Sequence, residues 1–348
     1  MATREPLVSV VIPVRQEETY IAAGIEAVLG QEFRGSCEVL VVDGMSTDRT
    51  REIVREIAAR DPRVKLLDNP GRIVPTAMNV GIRAARGDII VRVDGHCRIP
   101  HDYIASVLQA FGDSGAECVG GAMVAEGEGY WGEVIARVTS SAFGMGGVRF
   151  HGHGQPRYMD TVYLGAYRRQ VLVDAGLYDE RFVRNQDDEL NCRIRALGGK
   201  VYFTSRIWAA YTCRSTLGKL ASQYFQYGWW KVRLYFKHPQ MLRIRHLLPL
   251  AFLLALALPL PASLWLGWKA LLLPVGLVAL HAAFGLVSCI VEGVRARRVF
   301  GAVLAFLVLH LSYGVGFFGA LVTAPLRRSA PGLRPNDGAS AHRDREPR

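Results

Sequence analysis

Two groups of acidic residues have the types and spacing that a group-transfer reaction needs. Asp94 ends an apolar run that begins at Ile89, and His96 follows it two positions later. Much further along the chain, Asp187 and Asp188 open a helical pattern. A carboxylate at a strand end can hold a divalent cation on a diphosphate, and a distant carboxylate can take a proton from an incoming alcohol. Together they predict the transfer of a sugar from a nucleotide donor.

Asp94 and His96 are the predicted metal ligands. A nucleoside diphosphate leaving group is negatively charged, and a divalent cation, Mn²⁺ or Mg²⁺, can neutralise it as the bond to the sugar breaks. A histidine nitrogen is a softer ligand than a second carboxylate and slightly favours Mn²⁺. The alternative is that Asp94 is a turn residue that caps the segment after it.

Asp43 is the predicted contact to the nucleotide. It ends a second apolar run, where its carboxylate can accept a hydrogen bond from the imide N–H of uracil or from a ribose hydroxyl. Glu17 or Glu18, which follow the first apolar run, would flank it. The alternative is that Asp43 caps the turn formed by residues 43–48.

Asp187 and Asp188 are the two candidates for the catalytic base. An inverting transfer needs one carboxylate that takes the proton of the acceptor hydroxyl. Asp187 shares a helix face with Leu190, whereas Asp188 points elsewhere. One of the two is therefore the base, and the other caps the helix or faces water. The alternative is that both only stabilise the helix dipole in the first turn.

The first two hundred residues alternate apolar runs with amphipathic segments. This pattern predicts an α/β domain with a mostly parallel, Rossmann-like central sheet. Ligands bind such sheets at the carboxyl ends of the strands, where Asp43 and Asp94 fall. The glycine-rich residues 127–155 are predicted to form an irregular loop over the site.

The C-terminal part of the chain is predicted to lie in a membrane. Residues 247–268, 270–291 and 299–324 contain no formal charge, and each run exceeds the roughly 20 residues that cross a bilayer core. We therefore divide the chain into a catalytic domain (1–205), a membrane-interface segment (206–245), three membrane helices (246–324) and a disordered tail (325–348). No cleavable signal pattern begins the sequence, so the catalytic domain is expected in the cytoplasm.

The net charge of +11 is concentrated next to the membrane helices. Residues 206–245 contain eight Lys or Arg, nine aromatic residues and no Asp or Glu. Basic and aromatic residues together also occur in nucleic-acid-binding proteins. Here the segment runs directly into an apolar helix, which favours anionic lipid headgroups over nucleic acid as its partner.

Five short motifs resemble those of the family 2 glycosyltransferases, which have the GT-A fold. The resemblance covers about residues 6–235, and within the family the chain is most similar to the ExoA-like glucosyltransferases of succinoglycan assembly. The matching residues are Val10-Val11-Ile12-Pro13, Val41-Val42-Asp43-Gly44-Met45-Ser46-Thr47-Asp48, Asn79-Val80-Gly81, Asp94-Gly95-His96 and Gln186-Asp187-Asp188-Glu189-Leu190.

The resemblance implies roles for individual residues. Asp43 would contact the base of a UDP-sugar, Asp94 would hold the metal and the ribose or diphosphate, and Asp187 would be the catalytic base. Arg168 or Arg169 would lie near the donor or acceptor cleft. The predicted donor site then consists of Pro13, Glu17, Asp43, Asn79, Asp94 and Arg168.

Two departures from the family pattern concern the metal and the product. His96 stands where a second Asp is usual, so the metal would be held differently. Processive members carry Gln-x-x-Arg-Trp, whereas Gln226, Trp229 and Trp230 stand in a segment that lacks the Arg. This difference favours addition of a single sugar, with these three side chains at the acceptor or the membrane interface.

The sequence thus predicts an inverting, metal-dependent glycosyltransferase of the inner membrane. It would move one sugar from a nucleotide-sugar, such as a UDP-sugar, to a polyprenyl-diphosphate-linked saccharide in exopolysaccharide or cell-surface glycan assembly. Two alternatives share part of the pattern: a nucleotidyltransferase with a GT-A-like fold, and a membrane protein that binds nucleotide sugars without catalysis.

Overall fold

The computed structural model describes residues 7–146 and 154–327, with side chains described as far as residue 323. A single eight-stranded sheet runs through the N-terminal part in the order β3-β2-β1-β4-β7-β5-β8-β6. Its strands are β1 Leu7–Val14, β2 Ser36–Asp43, β3 Val64–Asp68, β4 Ile89–Arg92, β5 Cys118–Glu126, β6 Arg157–Tyr158, β7 Tyr163–Arg168 and β8 Val201–Thr212.

The predicted mostly parallel sheet is confirmed. Strands β3, β2, β1 and β4 are parallel to one another, and β5 is parallel to β8, whereas β7 is antiparallel to both β4 and β5 and β6 is antiparallel to β8. Helices cover both faces of the first four strands, and β1, β2 and β4 are almost wholly buried for that reason. The helices of this part are α1 Ile21–Leu29, α2 Thr50–Arg60, α3 Val74–Ala84, α4 Tyr103–Ser114, α5 Gly129–Ser140, α6 Arg169–Asp174, α7 Gln186–Ala196 and α8 Leu217–Lys237.

The C-terminal part contains three helical stretches that are long and apolar enough to cross a membrane. They are Ile244–Leu266, Trp268–Val291 and Ala296–Thr323, close to the predicted runs. The first stretch consists of α9 Ile244–Ala257 and α10 Pro259–Leu266, and the other two are α11 Leu272–Val291 and α12 Ala296–Arg327. Short 3₁₀ turns at Pro239–Met241 and Trp268–Leu271 precede α9 and α11.

Three predicted boundaries differ from the structure. The strand predicted at 201–203 continues as β8 to Thr212, so the domain boundary at residue 205 falls inside the sheet. The predicted loop 127–155 contains helix α5, while its residues 147–153 lie outside the described part of the chain. Helix α12 continues to Arg327, and the predicted disorder of residues 328–348 concerns residues beyond the described ranges.

Candidate active site

A buried arginine joins the two acidic groups that the sequence places far apart. Arg92 ends β4, and its side chain is only 8% exposed. Its Nε donates to Asp94 Oδ1 at 2.8 Å, and its Nη1 donates to both carboxylate oxygens of Asp187 at 2.9 and 2.8 Å. The predicted metal ligand and one predicted base therefore lie on either side of a single guanidinium group.

Sequence reasoning missed Arg92, although the signal was present. A charged residue within the apolar run Ile89 to Val93 must be buried with the strand. Because a buried charge needs partners, such a residue indicates carboxylates nearby. Asp94 and Asp187 are those partners in the structure.

Asp187 has the environment of a general base. Burial raises the pKa of its carboxyl above the ordinary value, Arg92 opposes this rise, and the negative charges of Asp94 and Asp188 add to it. The Tyr178 hydroxyl donates a hydrogen bond to Asp187 Oδ1 at 3.2 Å, which fixes the orientation of the carboxylate. A carboxylate with a raised pKa is the stronger base when it is ionised.

Asp188, the other candidate, has a different partner. Its Oδ2 accepts a hydrogen bond from Lys231 Nζ on α8 at 2.6 Å. The sequence predicts that the aspartate that is not the base either caps the helix or faces water, whereas Asp188 forms an ion pair. Asp188 instead ties the first turn of α7 to α8.

Asp94 and His96 could hold a divalent cation whose remaining ligands are oxygens of the nucleotide-sugar. The Asp94 side chain is 19% exposed, and His96 Nδ1 lies 3.1 Å from Glu17 Oε1. A carboxylate on one ring nitrogen is the usual support of a metal-binding histidine, whose other nitrogen is the ligand. In the described part of the chain, no group of three or more His, Cys, Asp or Glu could hold a metal ion. A cation here would thus depend on the diphosphate for the rest of its ligands.

Asp43 lies at the carboxyl edge of the sheet, as predicted, and is fully buried. Its Oδ2 accepts hydrogen bonds from the Ser46 backbone N–H at 2.9 Å and from Arg51 Nη1 at 2.7 Å. Among the described residues, its Oδ1 has no hydrogen-bond partner. An unsatisfied buried carboxylate oxygen is costly, so this atom is suited to an N–H or O–H of a ligand.

Two residues of the predicted donor site have other roles in the structure. Asn79 is buried, and its amide bonds to the backbone of Tyr178 on both sides, at 2.9 Å each. Arg168 pairs with Ile89 at the start of β4, because β7 runs antiparallel to that strand. Asp94 follows the opposite end of β4, so the prediction that Arg168 lies in the donor cleft is wrong. Pro13 is buried near the end of β1, two strands from β3.

The predicted interface residues lie on α8, beside the helix that carries the candidate bases. Gln226 Oε1 accepts a hydrogen bond from Arg184 Nε at 3.2 Å. The Trp229 ring stacks on Phe225, with 5.9 Å between centroids, and the Trp230 ring lies under the Arg233 guanidinium at 4.6 Å. The Gln226–Arg184 bond joins α8 to the segment before α7, whereas both ring contacts lie within α8.

A cavity of about 720 Å³ opens between α7, α8 and the apolar helices. Its polar wall carries four cationic side chains and the carboxylates Asp160 and Asp188, and its other wall is apolar. The cations are Arg195, Lys231, Arg243 and Arg245, and the apolar wall includes Phe143, Leu248, Phe252, Leu309 and Tyr313.

Comparisons with known proteins assign the chain to a family. Residues 9–173 match the model of glycosyl transferase family 2. The succinoglycan biosynthesis protein ExoA of Rhizobium meliloti (strain 1021) is 31% identical over 322 residues, which are 90% of this chain and 94% of that protein. The chain belongs to glycosyltransferase family 2. The predicted resemblance to the ExoA-like members of this family is confirmed.

Two further comparisons extend this result. A glucuronosyltransferase of Methanococcus voltae that acts on dolichyl N-acetyl-glucosaminyl phosphate is 28% identical over 230 residues, 64% of this chain and 71% of that protein. The mannosyltransferase PcManGT of Pyrobaculum calidifontis, solved with GDP-Man and Mn²⁺, superposes with a TM-score of 0.59 at 17% identity, covering 92% of this chain and 88% of that one. This likeness shows that the family 2 chain has the GT-A fold.

Proposed function

We propose that this family 2 glycosyltransferase is metal-dependent and inverting and transfers one sugar to a lipid-linked saccharide. The donor is a nucleotide-sugar, with UDP as the nucleotide, and the acceptor sugar is carried on a polyprenyl diphosphate. The proposal rests on the Asp94–Arg92–Asp187 bridge, in which one guanidinium joins the carboxylate proposed for the cation to the carboxylate proposed as the base. We place the protein in the cytoplasmic membrane, in exopolysaccharide assembly, with its catalytic domain in the cytoplasm.

The proposed donor site follows the carboxyl edge of β1, β2 and β4. Asp43 Oδ1 accepts a hydrogen bond from the base or ribose, while Asp94 and His96 would hold a cation at the diphosphate. A bound Mn²⁺ or Mg²⁺ supplies positive charge that stabilises the leaving nucleoside diphosphate. The Mn²⁺ in the structure of PcManGT supports a cation in this fold.

The chemical step is a single displacement at the anomeric carbon. Asp187 takes the proton of the acceptor hydroxyl as its oxygen attacks, and the nucleoside diphosphate leaves from the opposite face of the sugar, which inverts the configuration. Arg92 keeps Asp187 oriented and ionised, because its guanidinium stabilises the carboxylate form. Tyr178 donates a second hydrogen bond to Oδ1, so Oδ2, which contacts only Arg92 among the hydrogen bonds described, is the oxygen proposed to face the acceptor.

The cavity beside Asp188 is the proposed acceptor site. Four cationic side chains and two carboxylates line its polar wall, so this wall has a net positive charge that suits a diphosphate. The apolar wall formed by the C-terminal helices suits the first isoprene units of the lipid. Acceptors of this class lie in the membrane, which matches the position of the cavity between α8 and the apolar helices.

Substitution of Asp43 is expected to weaken donor binding. Asp43→Asn replaces a charged acceptor of two strong hydrogen bonds and alters the free Oδ1 position, so the Kd for UDP should rise about tenfold, as for a lost bond of roughly 1–3 kcal/mol. Isothermal titration calorimetry with UDP measures this change. Asp68→Asn is the matched control, because Asp68 pairs with the other nitrogen of Arg51 and is 61% exposed. Equal weakening in both variants would assign the effect to Arg51 and not to Asp43.

Substitution of Arg245 is expected to affect the acceptor alone. Arg195 and Arg243 share Asp160, and Lys231 pairs with Asp188, whereas within the described ranges Arg245 has no acidic partner. Arg245→Gln should therefore raise the KM for the lipid acceptor about tenfold, as for a lost charged hydrogen bond, without changing the Kd for the donor. Arg206→Gln, an exposed arginine that pairs with Asp113, is the control. A rise in donor Kd with no change in acceptor KM would contradict the acceptor assignment.

A panel of nucleotide sugars tests the reaction class. The purified protein with Mn²⁺ should release a nucleoside diphosphate from one donor of the panel, and release should increase when lipid-linked acceptor is added. Release of pyrophosphate would identify a nucleotidyltransferase. Donor binding without release of either product would identify a non-catalytic binding protein.

A further inference from the structure

The third apolar helix packs along the catalytic domain over its whole length. At its start, the Glu133 carboxylate on α5 pairs with Arg298. Near its end, Phe317 and Ala320 share a buried cluster with Val232 and Tyr235 of α8. From Arg298 to Ala320 a helix extends about 33 Å, which is more than the hydrocarbon core of a bilayer. Elements of the catalytic domain thus contact both ends of α12.

Close packing at two glycines shows that α8 and α12 run side by side. A Cβ atom added at Gly228 of α8 would clash with the Tyr313 carbonyl oxygen, and one added at Gly316 of α12 would clash with that of Phe225. Such contacts through small residues allow two helix backbones to approach closely.

Helix α8 itself cannot cross the membrane, because it is bound to the helix that carries the candidate bases. Lys231 pairs with Asp188, and Lys237 pairs with Glu189, both at 2.6 Å. A helix that lies beside α8 for its full length must follow the same direction. The burial of the three apolar stretches agrees with this direction. The most apolar part of α12 is 39% buried inside the protein, whereas the corresponding parts of the other two stretches are 0% and 6% buried.

We infer that α12 lies in the plane of the membrane, beneath α8, and that only the hairpin of α9–α10 and α11 crosses. The end of α12 at Arg327 then lies on the side of the catalytic domain. This arrangement is independent of the sugar and the acceptor, and it requires only that the apolar helices contact lipid.

The hairpin has the length and the tip that a crossing needs. Phe252 of α9 stacks on His281 of α11, and His281 bonds to His310 of α12 at 2.9 Å. From the stacked rings of Phe252 and His281 to the tip of the hairpin, each arm is about 20 Å long. The diameter of α12 is about 10 Å, and the sum of the two lengths matches the thickness of the hydrocarbon core. Trp265 and Trp268 at the tip are 91% and 68% exposed, as expected for residues at the far headgroups.

The distribution of positive charge agrees with an even number of crossings. Arg295, Arg297 and Arg298 precede α12, and six arginines lie at or beyond its end, from Arg327 to Arg348. Positive residues accumulate on the cytoplasmic side of membrane helices. Three crossings would separate these two groups, whereas a helix in the membrane plane keeps both in the cytoplasm.

The position of α12 has a consequence for the acceptor. Leu309, His310 and Tyr313 of α12 form part of the cavity wall. With α12 in the leaflet next to the catalytic domain, the cavity opens into that leaflet, and a lipid-linked acceptor enters from it without crossing the bilayer.

Labelling of single cysteines tests the arrangement in the full chain. Ser340→Cys marks the tail, Lys269→Cys marks the hairpin tip, and Arg295→Cys is the control for the catalytic side; the six native cysteines are buried and give little background. With a membrane-impermeant maleimide, Ser340→Cys and Arg295→Cys should react in inside-out vesicles, and Lys269→Cys should react in intact cells.

Reaction of Ser340→Cys in intact cells would overturn the inference, because it would place the chain end across the membrane. Reaction of Lys269→Cys only in inside-out vesicles would contradict the crossing of the hairpin. Crosslinking of Tyr235→Cys with Phe317→Cys, whose native rings lie 6.3 Å apart, by a short bis-maleimide is expected, and its failure in a protein that still binds UDP would contradict the contact between α8 and α12.

Discussion

Asp187→Asn is expected to lower kcat by about 10²–10⁴-fold, the usual contribution of a general base. The amide keeps the size of the side chain and can still contact Arg92 and Tyr178, but it cannot accept the proton of the acceptor hydroxyl. Donor binding should change little, since the proposed diphosphate site is at Asp94 and His96. Initial rates of lipid-linked product and the Kd for UDP, measured on the same preparation, separate the two effects.

Two variants control for this result. Asp188→Asn removes the partner of Lys231 and leaves Asp187 intact, so it should reduce kcat much less. Asp174→Asn makes the same chemical change at an exposed position of α6, where the carboxylate contacts only Gln170 among the hydrogen bonds described. If Asp188→Asn abolished turnover while Asp187→Asn remained active, the base would be Asp188.

Arg92→Met is expected to shift the pH dependence of the reaction. The guanidinium lowers the pKa of Asp187 against the effect of burial, so its removal raises that pKa further. A base with a higher pKa becomes protonated at a higher pH as the solution is acidified. The acid limb of the kcat profile should therefore move to higher pH by about 1–3 units, the usual effect of an adjacent Arg on an Asp.

Arg92→Lys separates this electrostatic role from a structural one. Lysine restores the positive charge without the two-sided guanidinium geometry, so it should return the acid limb towards the wild-type pH although kcat stays reduced. Arg92→Met leaves two carboxylates without their buried partner and should lose about 3–5 kcal/mol of unfolding free energy. Thermal unfolding monitors this loss. An acid limb unchanged in a folded Arg92→Met protein would contradict the electrostatic role of Arg92.

The parallel half of the sheet was predictable because its strands are buried on both faces. Continuous apolar runs such as Val10 to Ile12 identify these strands, and the carboxyl edge then follows from strand direction alone. This is why Asp43 and Asp94 were placed at one edge. The second half of the sheet was harder to predict from the sequence. Strand β8 contains Thr204 and Arg206 between its apolar residues, and this polar interruption is typical of the end of a strand.

The error at Arg168 has a related cause. The sequence of β7 indicates a strand but not its direction, and an antiparallel insertion moves the end of the strand to the opposite edge of the sheet. The ion pairs of Asp187 and Asp188 also could not be predicted from the sequence pattern, because their partners, Arg92 and Lys231, come from distant segments of the chain. Spacing identifies residues that share a helix face, whereas it does not identify the partners that a third element brings.

Transfer of one sugar from a nucleotide donor to a lipid-linked acceptor, with Asp187 as the base, can be observed in the lipid product. The protein is incubated with a donor panel, Mn²⁺ and a polyprenyl-diphosphate-linked sugar, and the lipid extract is then measured by mass spectrometry. We expect an acceptor heavier by one sugar residue, formed with inversion at the new linkage, and a strongly reduced rate of its formation with Asp187→Asn. An unchanged acceptor with every donor of the panel, or the same product formed at the wild-type rate by Asp187→Asn, would contradict it.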